Sequence, residues 1–198
     1  MGSDMEQLTS RERNVPEEIM IVRRVVTGHD KNGKSVFVSD GPPPRSKQFE
    51  HTPGFASNLA WATPEIPPLP AGAKDPTLEV KSFVPTPSET RFIIVTFPPD
   101  SVYATPGFDF AASGKEAREQ SPGLADLFEP DDPAMHTTPT VDCGVILDGE
   151  VWLELDDGKS VLLKRHDTFI QNGTRHAWRN KSEKPVTLAV VLIGAEKK

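Results

Sequence analysis

The sequence predicts an all-β protein, either an antiparallel sandwich or a closed barrel. Two observations carry this reading. Twenty prolines and fourteen glycines among 198 residues cut the chain into short apolar runs, a punctuation that suits strands and leaves little room for helices. From Ala134 onward the runs become regular. TVDCGVIL, EVWLEL and DTFIQ are followed by Asp148-Gly149, Asp157-Gly158 and Asn172-Gly173, dipeptides favoured in two-residue hairpin turns.

In chain order, residues 1–14 are expected to be disordered. Ile19 to Asp40 predicts a β-hairpin turning at HDKNGK, because Asn32-Gly33 is a strong turn dipeptide. Gly28, four residues, then Gly33-Lys34-Ser35 also match a phosphate-binding loop, which must lead into a helix. SVFVSD instead alternates β-branched residues and meets Gly41 and Pro42 to Pro44, so no helix fits and nucleotide binding is set aside. His29 in that turn is expected to face solvent. GPPPRSKQFEHTPGF reads as a loop, with His51 a loop residue. SNLAWAT, LEVKSFVP and TRFIIVTFPP read as strands. The chain thus divides into an N-terminal β arm with Pro-rich connections, 15–89, packing on a barrel of residues 90–198.

Residues 101–134 interrupt the barrel with helical material near Lys115 to Glu119 and Leu124 to Phe128. A long insertion of this kind is a functional lid or a mobile loop. Tyr103, Phe108, Phe110 and Phe128 either form an apolar lid or cover the sheet. PVTLAVVLIG is apolar on both faces, as a central strand requires.

Composition narrows the partners. The formal charge is −7 and there is no basic stripe, which argues against nucleic acid. Cys143 is the single cysteine, so no internal disulfide forms and a cytoplasmic, reducing compartment is expected. The sequons at Asn172 and Asn180 are chance matches there. LAVVLIGA is too short to span a bilayer, and no apolar signal core precedes it. A soluble protein with a small-molecule partner is the expectation.

The chemistry concentrates in MHTTPTVDCGVILDGE and IQNGTRHAWRN. His136, Thr138 and Asp142 lie at even offsets and share a face of an extended strand, while His176, Trp178 and Asn180 share a face of another. Facing each other across a barrel, His136, Asp142 and His176 would converge. Two imidazoles and one carboxylate form the facial triad that holds non-haem Fe(II) with positions open for substrate and oxygen, and the set also suits zinc or manganese. Cys143 falls on the opposite face and reads as packing. Trp152 and Trp178 are candidate pocket walls.

These stretches resemble the two signature motifs of the cupin superfamily, whose fold is a double-stranded β-helix, a jelly-roll barrel. The first reads His136-Thr137-Thr138, three residues, Asp142, six residues, Gly149. The second reads Gln171-Asn172-Gly173, two residues, His176, three residues, Asn180. The resemblance covers about Arg91 to Gly194. Thr138 stands where the pattern has a second histidine, Asp142 where it has Glu, and Gln171 where it has proline. The resemblance therefore implies three protein ligands to a divalent metal, His136, Asp142 and His176, with Thr138 a hydrogen-bonding residue. Gln171 becomes able to bind metal, water or substrate, and Gln171 and Thr138 are the candidate catalytic side chains. His166, in place of a Pro-Gly turn, is expected at the surface. The implied activity is that of an iron dioxygenase-like enzyme on an oxygenated organic acid or ketone. Its alternatives are a redox-neutral zinc or manganese decarboxylase, dehydratase or isomerase, and a non-catalytic ligand-binding module. The resemblance also implies a homodimer built partly through the N-terminal strands.

Overall fold

A computed structural model describes residues 22–72 and 74–196, so the expected disordered tail lies outside the described residues. The first hairpin forms as the sequence predicts. Strands β1 (Arg24–His29) and β2 (Ser35–Gly41) pair antiparallel. Asp30 organises the turn, its carboxylate accepting from the amides of Asn32 and Lys34. His29 is exposed, and a strand follows Lys34-Ser35 where a nucleotide loop needs a helix.

Then come β3 (Arg45–Gln48), β4 (Ala56–Thr63), β5 (Thr90–Phe97), β6 (Thr140–Asp148), β7 (Glu150–Glu154), β8 (Ser160–Lys164), β9 (Thr168–Asn172), β10 (Ala177–Arg179) and β11 (Val186–Gly194), with one helix, α1 (Phe110–Gln120), between β5 and β6. Two sheets result: β3-β4-β5-β11-β6-β9 and β10-β7-β8. They face each other as a jelly roll. β11 sits between β5 and β6, which is why PVTLAVVLIG is apolar on both sides.

Two expectations fail locally. LEVKSFVP begins in a 3-10 turn, Pro76–Glu79, and continues as loop. Asp75 caps the turn, accepting from the Thr77 amide, with Pro76 at its first position, and that local chemistry outweighs the alternation of LEVKSFV. RSKQ, read as loop, is β3; its pairing to β4 decides its state.

The three turn dipeptides also divide. Only Asp157-Gly158 closes a hairpin, β7 to β8, with φ of 59° and 69°. Gly149 and Gly173 have positive φ as well, but the strands they join belong to different sheets. A dipeptide fixes local backbone conformation; which strand pairs with which is decided by burial.

The core between the sheets holds Ile146, Val151, Phe169, Val186 and Leu188, with Leu163 and Trp178 packed against it. A second cluster joins Leu59, Phe83, Ile93 and Leu192. Gly144 lies under the Phe169 ring so closely that any Cβ there would overlap it. Gly144→Ala is therefore expected to destabilise the fold by about 2 kcal/mol through overpacking, read as a lower urea midpoint with an unchanged m-value.

Candidate functional site

His136 precedes β6 and His176 precedes β10, so each stands at the entrance of a different sheet. Their backbones pair reciprocally, His136 N–H to His176 carbonyl and His176 N–H to His136 carbonyl, both at 2.9 Å. This bridge sets the two rings side by side, with centroids 4.2 Å apart. Both residues are buried.

Each imidazole is oriented by its own chain. His136 Nδ1 lies 3.3 Å from the Ala134 carbonyl, and His176 Nδ1 lies 2.9 Å from the Thr174 carbonyl. A carbonyl only accepts, so Nδ1 carries the proton in the neutral ring and Nε2 keeps its lone pair. Burial and the neighbouring His176 push His136 down to about 4; burial lowers His176 as well. Both rings are neutral at neutral pH, as metal ligation demands.

Asp142 faces inward from β6, with Gln171 of β9 directly opposite. Phe169 follows the same inward parity, packs 4.7 Å from Trp178, and Trp178 lies 6.0 Å from His176. All these side chains therefore address one interior. Burial pushes the Asp142 carboxyl up to about 6, with Thr140 partly opposing. Asp142 Oδ1 and Gln171 Nε2 are buried without hydrogen-bond partners. Thr138 is buried and its hydroxyl accepts from Thr140 at 2.7 Å.

The structure assembles only part of the expected triad. Among the described residues, no three His, Cys, Asp or Glu side chains converge to hold a metal ion as they stand. The histidines are paired, and Asp142 does not close the set. The donor chemistry nevertheless fits a divalent cation. Two imidazole nitrogens and a carboxylate are its usual ligands, and a cation would give Asp142 Oδ1 the partner it lacks.

Other candidates fall elsewhere. Trp152 is on the opposite face of β7 from buried Val151, beneath the Lys181 ammonium, since alternate strand residues face opposite ways. Cys143 and His51 are exposed, and so is His166, which adopts a positive φ. Asn180 is structural: its amide donates to the Phe97 and Lys184 carbonyls and accepts from Ser182.

Sequence reasoning missed the anchoring of the insertion. Phe128 stacks on His136 with centroids 4.4 Å apart. Glu129 forms a two-point ion pair with Arg175 at 2.7 and 2.6 Å, and Asp132 pairs with Arg179 at 2.7 Å. Both arginines flank His176. The acids of DLFEPDD and the arginines of TRHAWR are of opposite sign, the one signal that pointed to this contact.

No protein-family model matches the sequence. Phomopsin biosynthesis cluster protein D of Diaporthe leptostromiformis is 33% identical over 166 residues, 83% of this chain and 74% of that protein. The cupin-domain-containing oxidoreductase virC of Hypocrea virens is 23% identical over 157 residues, 79% of this chain and 66% of that protein. Among solved structures, a Cupin_2 domain of an XRE-family transcriptional regulator from Enterobacter cloacae overlaps 54% of this chain and 83% of that one, at 14% identity and a TM-score of 0.33.

Three outcomes are expected. Asp142→Asn should stabilise the metal-free protein at pH 7.5 by roughly 1–3 kcal/mol, because above pH 6 the folded state carries a buried carboxylate that the unfolded chain solvates better. The sign for His136 is opposite. Its folded value lies below the ordinary 6.5, so stability falls as pH drops from 6.5 to about 4, and that fall should steepen in Asp142→Asn, where the opposing carboxylate is gone; urea titrations across this range check both. Glu129→Gln should speed diethylpyrocarbonate modification of His136 by about two- to fivefold, the loss of a half-exposed ion pair holding Phe128 in place, followed by mass spectrometry.

Proposed function

The chain belongs to the cupin superfamily, and we propose that it is a metal-dependent enzyme acting on a small oxygenated organic molecule, with His136, His176 and Asp142 as the metal's protein ligands. The observation that carries this is the pair of buried imidazoles, each tethered through Nδ1 to a carbonyl two residues earlier. Such outer contacts fix ring and tautomer at metal sites; a merely structural pair of histidines has no need to turn both Nε2 atoms free.

A bound iron would supply coordination positions for the substrate and dioxygen, giving the site dioxygenase-like chemistry. The protein's own contribution is positional. The backbone bridge holds the imidazoles together, and Asp142 is buried on β6 with its free oxygen in the same interior. Trp178 and Phe128 line the interior with aromatic surface that excludes water and suits the carbon skeleton of the substrate. Thr138 contributes volume and a hydroxyl where a fourth ligand would crowd the site. The relatives' names, a biosynthesis cluster protein and an oxidoreductase, agree with oxidation of a biosynthetic intermediate.

Elemental analysis of protein isolated without a metal-affinity tag tests the reading. About one iron per chain is expected, falling about tenfold or more in His136→Ala and His176→Ala while circular dichroism keeps the β signal. Oxygen uptake with substrate identifies the dioxygenase-like reaction. Turnover without oxygen on zinc or manganese makes the enzyme a lyase or isomerase, and failure to take up any metal reduces it to a ligand-binding module.

The proposal includes a homodimer. On the first hairpin Phe37 is 77% and Val38 58% exposed, apolar surface that a second copy would cover. Sedimentation equilibrium should give twice the chain mass; a concentration-independent monomer removes this part.

A further inference from the structure

Three buried side-chain atoms among the described residues lack a hydrogen-bond partner: Arg24 Nε, Asp142 Oδ1 and Gln171 Nε2. Arg24 has a local account, since its other nitrogens bond the Ala60 carbonyl and the Asp75 carboxylate. The remaining two belong to residues directly opposite each other on β6 and β9. One is an acceptor and one a donor, and their residues are only 6% and 4% exposed.

The Gln171 amide has one side-chain partner. Its Oε1 accepts from the Thr174 hydroxyl at 3.1 Å. With Oε1 on Thr174, Nε2 is the amide atom left without a partner. The amide N–H is thus a buried donor without an acceptor, on the residue opposite a buried acceptor without a donor. Proline, which the resemblance places at this position, brings no such donor.

We infer that Gln171 is a specificity-determining residue of this site, its amide N–H donating to a carboxylate or carbonyl oxygen of the substrate bound beside Asp142. This rests on the metal reading above. Buried polar groups are nearly always paired, so a buried donor without an acceptor calls for a specific explanation, which a bound ligand supplies, and a site built around such a donor rejects analogues that lack the matching oxygen. The substrate class narrows accordingly to molecules that place an acceptor oxygen next to the metal-binding atoms, as 2-oxo acids and 2-hydroxy acids do.

The test uses full-length protein loaded with cobalt(II), whose visible absorption reports ligand binding, and two probes. Oxalate presents acceptor oxygens to the amide and azide presents none. Gln171→Leu removes the donor, and Gln171→Glu keeps the shape while replacing the donor by an acceptor. Both variants are expected to bind oxalate about tenfold or more weaker than the unsubstituted protein, the glutamate variant weakest. Azide affinity and cobalt stoichiometry should stay within about twofold in both. Oxalate affinity unchanged in both variants overturns the inference and means that Asp142 and Gln171 satisfy each other or a water. So does a parallel loss of azide, which would mark Gln171 as a support for the metal ligands. Unsubstituted protein that loads cobalt but ignores oxalate also overturns it. Failure to load cobalt at all overturns the metal reading first, and this inference with it.

Discussion

The reciprocal backbone pairing of His136 and His176 is the contact on which the site depends. It lies outside the regular strands, yet it joins the segment entering one sheet to the segment entering the other. Two hydrogen bonds at 2.9 Å place two backbones in register, and the side chains follow because opposed residues on paired strands share a face. The rings then meet at a centroid distance of 4.2 Å; each, if protonated, would repel the other. Their neutrality comes from burial, and burial comes from the fold closing around them. Arg175 and Arg179 extend the arrangement outward. Being one and three residues from His176, they reach the insertion, and Glu129 and Asp132 bring Phe128 down on His136.

Much of this was legible in the sequence because the carriers of the information are local. Apolar runs between glycines and prolines gave the strands, and double-sided burial marked Val186 to Gly194 as central. The spacing of His136, Asp142 and His176 pointed to one interior. What was not legible was non-local. Asp148-Gly149 and Asp157-Gly158 look alike, yet one changes sheet and the other closes a hairpin. RSKQ has no alternation of its own and is a strand only because Ala56 to Leu59 offer it hydrogen bonds. Trp152 and Trp178 differ only in strand parity, which becomes certain once Val151 is known to point inward. The pinning of the insertion depends on a carboxylate and a guanidinium separated by 46 residues, and no periodicity connects them.

The interior is also where the fold is least optimised for itself. Asp142 carries a buried oxygen with no donor, Gln171 a buried N–H with no acceptor, and the two histidines are held away from their ordinary proton affinity. Each of these is a cost that an apolar core would avoid. They occur together, on strands that are otherwise well packed with Ile146, Phe169 and Leu188. Elsewhere in the described residues Arg24 Nε is the one buried side-chain atom left unpaired, and the other buried polar side chains have partners, as the Thr96–Thr187 hydroxyls and the Asn180 network do. A concentration of unsatisfied groups against a satisfied background is the mark of a binding site.

Thr138 bears on how such a site works. A fourth protein ligand would use up a coordination position and hold the metal more firmly. A threonine whose hydroxyl is already engaged with Thr140 leaves that position to water or substrate. An occupant of the interior that carries both a cation and an acceptor oxygen would satisfy Asp142 Oδ1 and Gln171 Nε2 together.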